Sequence, residues 1–257
     1  MYCATFVPCI GQRSRNKRCA IQLRATILEI MKNKGIFYAI TIISLWALSL
    51  TYLLHYKIDF KDPLVYVFML LQTHLYTGIF ITAHDSIHGV VAPNNKRLNY
   101  GIGFLCATIF AYNNYEKLSR KHHLHHSNVV SDDDPDYYDG NFFRWYLKFA
   151  LEYVTFWQIL FMAITYNLLK LIFPMENLIV FWEIPAILST LQLFYFGTYL
   201  PHRGEHDVTD KFKAKSQKLN HTVAFITCYF FGYHHEHHAY PYLPWWSLAK
   251  AKEKELP

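Results

Sequence analysis

Four stretches of this 257-residue chain are long and apolar enough to cross a bilayer, and no other feature limits its fold as much. A span takes about 20 mostly apolar residues in a helix, because backbone groups in hydrocarbon must satisfy one another. The first stretch, Ile36 to Leu54, carries no charge. The second, Leu64 to Ala83, has one polar oddity, His74. The third covers Phe149 to Phe173, with Glu152 near its start and Lys170 near its end. The fourth, Leu178 to Leu200, contains Glu183 and Pro185. Two shorter apolar runs, Gly101–Tyr112 and Thr222–Tyr233, suit buried cap helices or re-entrant segments. A content of 53% hydrophobic residues with a mean hydropathy of only +0.05 points the same way, to a membrane protein with a polar cap.

Charge orients the spans. Residues 1–35 hold seven Lys/Arg, residues 84–148 seven and residues 201–257 eight, whereas 55–63 holds two and 174–177 none. The positive-inside rule then places both termini and the long middle loop in the cytoplasm. The formal charge of +6 is explained by that membrane face and calls for no nucleic acid. The five cysteines form no C-x-x-C pair, which excludes a zinc ribbon or disulfide framework and fits a reducing compartment. Residues 1–30, with five basic residues and the single acidic Glu29, read as a targeting segment or, preferably, as the product of a mis-chosen start upstream of Met31. The expected organisation is a basic N-terminal segment, 1–35, and one domain over 36–257.

Twelve of the fifteen histidines gather in four clusters, all on the face that the basic residues assign to the cytoplasm. They are His84/His88, His122/His123/His125/His126, His202/His206 and His234/His235/His237/His238. Residues three and four apart share a helix face. Helical spacing therefore groups His122, His125 and His126, and likewise His234, His237 and His238. His123 and His235 fall about 100° away. Neutral imidazole is a common ligand for iron, zinc, copper and nickel. With His84 and His88 the set holds eight ligands, too many for one ion but suited to two with about four to six each. A zinc-protease H-E-x-x-H motif is absent, because Ala239 stands three residues after Glu236. A carboxylate-bridged bundle would need Glu-x-x-His pairs, which these segments lack.

These boxes, in this order around these spans, resemble the integral-membrane fatty acid desaturase and hydroxylase superfamily, and within it the β-carotene ketolase (β-carotene 4-oxygenase) family. The likeness extends over residues 65–247. It includes His84-Asp-Ser-Ile-His-Gly, Ser131-Asp-Asp-Asp-Pro-Asp136, Phe143-Arg-Trp-Tyr146, Phe196-Gly-Thr-Tyr-Leu-Pro-His-Arg203 and Gly232-Tyr-His-His-Glu-His-His238 with Pro-Trp-Trp246. It implies an all-α fold with four transmembrane helices and a cytoplasmic helical cap, two non-haem iron ions and O₂ as cosubstrate. It further implies a ferredoxin-like electron donor, no flavin or haem, and a carotenoid substrate reached through the lipid. The implied reaction is oxidation of β-ionone rings at C4 by two hydroxylations and a dehydration, giving echinenone/canthaxanthin-type or astaxanthin-type products. The implied ligands are His84, His88, His122, His125, His126, His234, His237 and His238. A ninth lies just past the last span, where His202 matches best and His206 is the runner-up. His123 departs from the usual second box; it reads as a bystander, or exchanges with His122.

The neighbouring polar residues each carry two readings. Asp85 either orients an imidazole or is a solvated helix-end aspartate. The acidic run Asp132–Asp136, with Asp132, Asp133 and Asp134 at its head, is either a solvated loop or functional, as partners for the second-box histidines or as part of the cap's docking surface. Trp245 and Trp246 suit the membrane interface. His74 and Glu183 mark a substrate path, and His74, about 15 Å along the helix from His84, is too far for the metal. The competing functions are a fatty acyl desaturase or carotenoid hydroxylase of the same superfamily and, from another class, a His-rich membrane metal carrier or sensor.

Overall fold

The computed structural model describes residues 34–254 apart from 208 and 219, so the basic segment at residues 1–30 lies outside the described residues. Among these residues all regular structure is helical. Helix α1, Lys34–Leu54, and helix α2, Pro63–Ile87, form an antiparallel pair joined by a short turn. Asp62 starts α2: its carboxylate accepts the Leu64 amide at 2.9 Å, while Pro63 fills a first-turn position that needs no amide hydrogen. At 25 residues α2 is about 37 Å long, more than the hydrocarbon core requires. Its final turn, with His84 and Asp85, therefore carries the first histidine cluster to the edge of the apolar slab.

Helix α3, Lys96–Ile109, packs along α2, and helix α4, Tyr115–Ser127, crosses the same end. A buried polar clamp fixes this corner. Asn99 donates to the Ser86 carbonyl at 2.7 Å and accepts the Ala92 amide at 3.1 Å. Ser86 Oγ donates to the Asn99 carbonyl and lies 2.7 Å from the Tyr115 hydroxyl. Gly103 lets the helices close, because a Cβ there would run into Ser86 and Tyr115. The left-handed turn at Ala111 and Tyr112 then leads to Asn114, whose side chain caps α4 through the Lys117 amide at 2.8 Å.

The stretch expected to span from Phe149 to Phe173 is not one helix. It is split between helix α5, Phe142–Tyr153, and helix α6, Phe156–Leu169, which meet at 85°. Val154 adopts extended backbone and Thr155 caps α6 by accepting the Gln158 amide at 3.2 Å, so the helix restarts in a new direction. Helix α5 is amphipathic, with Trp145 buried and Phe143, Leu147 and Leu151 exposed. Among the described residues three helices are thus long and apolar enough to cross a membrane, and four if the bent pair counts as one span.

The third long helix, α7, runs over Met175–His202 and contains two π-helical turns, Ile179–Glu183 and Tyr195–Tyr199. Each precedes a proline, Pro185 or Pro201, whose missing amide and bulky ring a widened turn accommodates. The chain closes with helices α8, His221–Cys228, α9, His234–Ala239, and α10, Trp245–Lys254. The core lies between α2 and α7, where Tyr76, Ile79, Leu178, Trp182 and Leu193 are buried together. Outward-facing Phe37, Leu48, Leu70 and Ile187 are exposed, as lipid-facing residues are. Trp245, expected at the membrane interface, is instead buried in contact with Tyr38 and Tyr229, because its aromatic neighbours come from α1 and the α8–α9 turn.

Replacing Asn99 by alanine strands the Ala92 amide, while the Ser86 carbonyl keeps the Gly89 amide at 3.0 Å, and the loss is expected to cost about 1–3 kcal/mol. A lowered thermal midpoint of the detergent-solubilised protein measures it, and an unchanged midpoint would show that the clamp is not structural.

Candidate metal centre

The structure brings histidines from four helix ends into one buried place. His84 lies in the last turn of α2 and His88 directly after it. Helix α4 turns His122, His125 and His126 inward, while His123 is exposed with its Nδ1 on the Ser119 carbonyl at 2.7 Å. Helix α9 buries His234, His237 and His238 and leaves His235 half-buried, 3.1 Å from the Ala214 carbonyl. His202, at the end of α7, is buried, and His206 lies outside the cluster with its ring on the His202 carbonyl at 3.0 Å.

Two sets emerge, and each mixes the boxes. One is His84, His88, His122 and His237, and the other is His125, His202, His234 and His238. Within each set the ligating ring nitrogens all lie within 4.8 Å of one another. His126 stands between them, with its Nε2 3.0 Å from that of His237 and its ring stacked on His238 at 4.3 Å.

Neighbouring groups hold the rings in place. Nδ1 of His84 faces the Asp85 carboxylate at 3.2 Å, whose other oxygen accepts the Trp245 amide at 2.9 Å. Asp85 thereby ties the first cluster to the chain just after the last one. Nδ1 of His125 lies 2.9 Å from Asp134, and Nδ1 of His202 lies 2.9 Å from the Lys213 carbonyl. When the Nδ1 of such a ring carries the proton, its Nε2 lone pair is free to bind a metal.

Burial pushes His88, His122, His234, His237 and His238 well below the usual imidazole range, and neighbouring histidines add to the effect. His126 is pushed down to about 2 for the same reasons. His125 moves the other way: burial lowers it, but the carboxylates of Asp134 and Asp136 outweigh that. Burial raises Asp134 in turn, yet the His125 ring and the amides of Asp136 and Val130 hold it below its ordinary value.

A cluster of buried neutral imidazoles is the donor set of a metal site, and its orphaned nitrogens fit that use. His84 Nε2, His202 Nε2 and His234 Nδ1 are buried without a partner, which costs free energy unless something binds them. All-imidazole sets suit iron, zinc or copper.

In the acidic run, Asp134 reaches the cluster, whereas Asp132 and Asp133 are exposed and make no hydrogen bond to a described histidine. Asp136, the last residue of the same run, is buried as well. Its amide donates to the same Asp134 oxygen that faces His125, its carbonyl accepts Trp145 Nε1 at 2.7 Å, and its carboxylate accepts the Tyr153 hydroxyl. The alternation of Asp134 and Asp136 hinted at this arrangement, but nothing in the local sequence marked Tyr153.

A cavity of about 120 Å³ opens against the histidines. His84, His122, His125 and His234 form one wall; Phe80, Phe110, Phe149 and Phe231 supply apolar surface. The bent pair contributes Tyr153, Val154 and Gln158, so the break in the expected third span shapes this cavity. His74 lies elsewhere, stacked on Tyr229 at 4.3 Å and lining a separate apolar groove.

The profile of the fatty acid desaturase family matches residues 61–165 and 150–257. The chain is 40% identical over 185 residues to the beta-carotene ketolase of Paracoccus sp., a match covering 71% of this chain and 76% of that protein. It is 40% identical over 196 residues to the beta-carotene ketolase of Haematococcus lacustris, covering 72% of this chain and 61% of that one. With the zeaxanthin 4-ketolase of Chlamydomonas reinhardtii the identity is 37% over 237 residues, covering 85% of this chain and 53% of the relative. No solved structure matches the chain.

Asp134→Asn removes the carboxylate that orients His125 and is expected to lower metal affinity about 10- to 100-fold, with Asp132→Asn near wild type. Metal content per purified chain, read by mass spectrometry after graded chelation, compares the two; equal retention would show that Asp134 has no part in holding the metal.

Proposed function

Because the chain belongs to the fatty acid desaturase family and aligns with its carotenoid ketolases, we propose that it oxidises the β-ionone rings of carotenoids at C4. Products would be of the echinenone/canthaxanthin type, or of the astaxanthin type from hydroxylated rings. The observation that carries this reading is the apolar cavity walled by both histidine sets, in a chain 40% identical to a beta-carotene ketolase. A metal carrier or sensor would need no such cavity beside its ligands, and the aligned relatives named for carotenoid ketolation favour this reading over an acyl desaturase or a ring hydroxylase.

In this reading the ligands of a di-iron centre are His84, His88, His122 and His237 for one ion and His125, His202, His234 and His238 for the other. His126 lies between the sets and completes one of them. Bound iron would supply the activation of O₂ that hydroxylation of an allylic C–H bond requires. Each hydroxylation takes C–H, O₂, two electrons and two protons to C–OH and water, with the electrons coming from a ferredoxin-like donor. The second hydroxylation at C4 gives a geminal diol, which loses water to become the ketone. The residues of the chain position and shield. Phe80, Phe110, Phe149 and Phe231 hold the ring against the histidine wall and exclude water, while Asp85 and Asp134 keep the imidazoles facing inward.

The surroundings follow from the same reading. Residues 36–257 form one domain with four spans, the bent pair supplying the third. The Lys/Arg distribution puts both termini and the histidine cap on the cytoplasmic side, within reach of a soluble electron donor.

Expression in a bacterium engineered to make β-carotene is expected to yield ketolated pigments, resolved by chromatography. Unchanged β-carotene in a well-expressed, iron-replete culture would overturn the assignment. In the same cells His237→Ala is expected to reduce ketone formation by at least about a hundredfold, whereas His55→Ala, at the exposed end of α1, leaves it unchanged. Normal turnover by the His237 variant would refute the ligand set.

A further inference from the structure

Two oxidations at one carbon require that the half-finished product stay in place. After the first hydroxylation the ring carries a hydroxyl in a cavity otherwise suited to hydrocarbon. An unpartnered hydroxyl there costs free energy, so the intermediate would leave for the membrane interface unless something binds the new group. The cavity wall holds one carboxylate, that of Asp136, among its described lining residues.

Asp136 is 8% exposed and held from three sides. Its amide is bound by Asp134, the residue that orients His125, and its carbonyl by Trp145 Nε1. Its Oδ1 accepts the hydroxyl of Tyr153, which also lines the cavity. Its Oδ2 accepts no hydrogen bond from another described residue and is the one free carboxylate oxygen of the described lining, whose other unpartnered oxygen acceptors are the amide oxygens of Asn113 and Gln158. A donor entering from the histidine side meets a fixed acceptor whose backbone is linked, through one carboxylate, to a proposed metal ligand. Such a buried acceptor is poorly suited to an all-hydrocarbon ring and well suited to a hydroxylated one.

We propose that the Asp136–Tyr153 pair is the subsite that binds the 4-hydroxyl of the singly oxidised ring and commits it to the second oxidation. The proposal rests on the carotenoid-ketolase reading. Asp136 accepts the hydrogen bond of the new hydroxyl, and Tyr153 holds the carboxylate so that the ring presents its remaining C4–H bond to the histidine wall. Binding of β-carotene itself, which has no hydroxyl, does not use the pair. Its contribution therefore falls on the ratio of products more than on the consumption of the starting pigment.

The test uses the full-length chain in β-carotene-producing bacterial membranes, with wild type, Asp136→Asn and Tyr153→Phe compared at equal β-carotene conversion. The quantity read is the ratio of 4-hydroxy to 4-keto rings. Loss of the carboxylate as acceptor predicts a rise of about tenfold or more in Asp136→Asn, with a smaller rise in Tyr153→Phe. Supplied 4-hydroxy substrate should show a raised KM in both variants, while the KM for β-carotene stays within about twofold. An unchanged ratio, with hydroxy and keto products falling together, would overturn the proposal. So would a defect confined to rings carrying a 3-hydroxyl. If Asp136→Asn fails to accumulate in membranes, Tyr153→Phe, which removes one hydroxyl, decides the question alone. Failure of the wild-type chain to form any oxygenated ring would instead refute the ketolase reading itself.

Discussion

The structure is organised around the cost of gathering nine imidazoles, seven of them buried and His88 and His126 half-buried. Each ring must keep its inward nitrogen unprotonated and find a partner for the outward one, and no apolar packing can substitute for either. The outward nitrogens of three rings are met by Asp85, Asp134 and the Lys213 carbonyl. Two Nε2 atoms, those of His84 and His202, have no partner among the described residues. The arrangement makes physical sense when cations occupy the two foci, since paired desolvated donors are then satisfied and the free energy of metal binding becomes part of the free energy of folding.

Much of the remaining architecture serves that cluster. His84 and Asp85 lie in the last turn of α2, and the Asn99–Ser86–Tyr115 clamp sets α3 and α4 against that end. The widened turn at Tyr195–Tyr199 changes the helical register just before His202, so a residue at the end of α7 joins the second set. Val130, in left-handed backbone that a β-branched residue avoids, has its amide on Asp134 at 3.0 Å, so the same carboxylate that orients His125 also helps hold a strained turn. Asp85 performs a similar double task by joining His84 to the Trp245 amide. The cluster is a hub for the cap as well as a site for chemistry.

The bent pair α5–α6 links the site to its substrate. A straight third helix would have placed Phe149, Tyr153 and Gln158 along a span; the 85° bend brings them around the cavity. Phe143, Leu147 and Leu151 are exposed on the outer face of α5, while Trp145 and Tyr153 face Asp136. One amphipathic helix thus lines the cavity with one face and leaves an apolar face exposed on the other.

The sequence alone determined the helical class, the long spans α1, α2 and α7, and the inward faces of α4 and α9, because helical periodicity and hydrophobic length are local properties. Spacing set His123 and His235 apart from their neighbours, and both rings lie off the cluster. Tertiary structure decided how the boxes interleave into two sets, why His202 and not His206 sits among them, and where the third stretch breaks. It also showed that Asp136 and Tyr153 meet and that Trp245 is core. These outcomes depend on contacts between residues tens of positions apart, and on a cap at Thr155 whose weight against a long apolar run no local pattern measures. Imidazole spacing says how many ligands one helix can aim, but only the packing of four helix ends says at what.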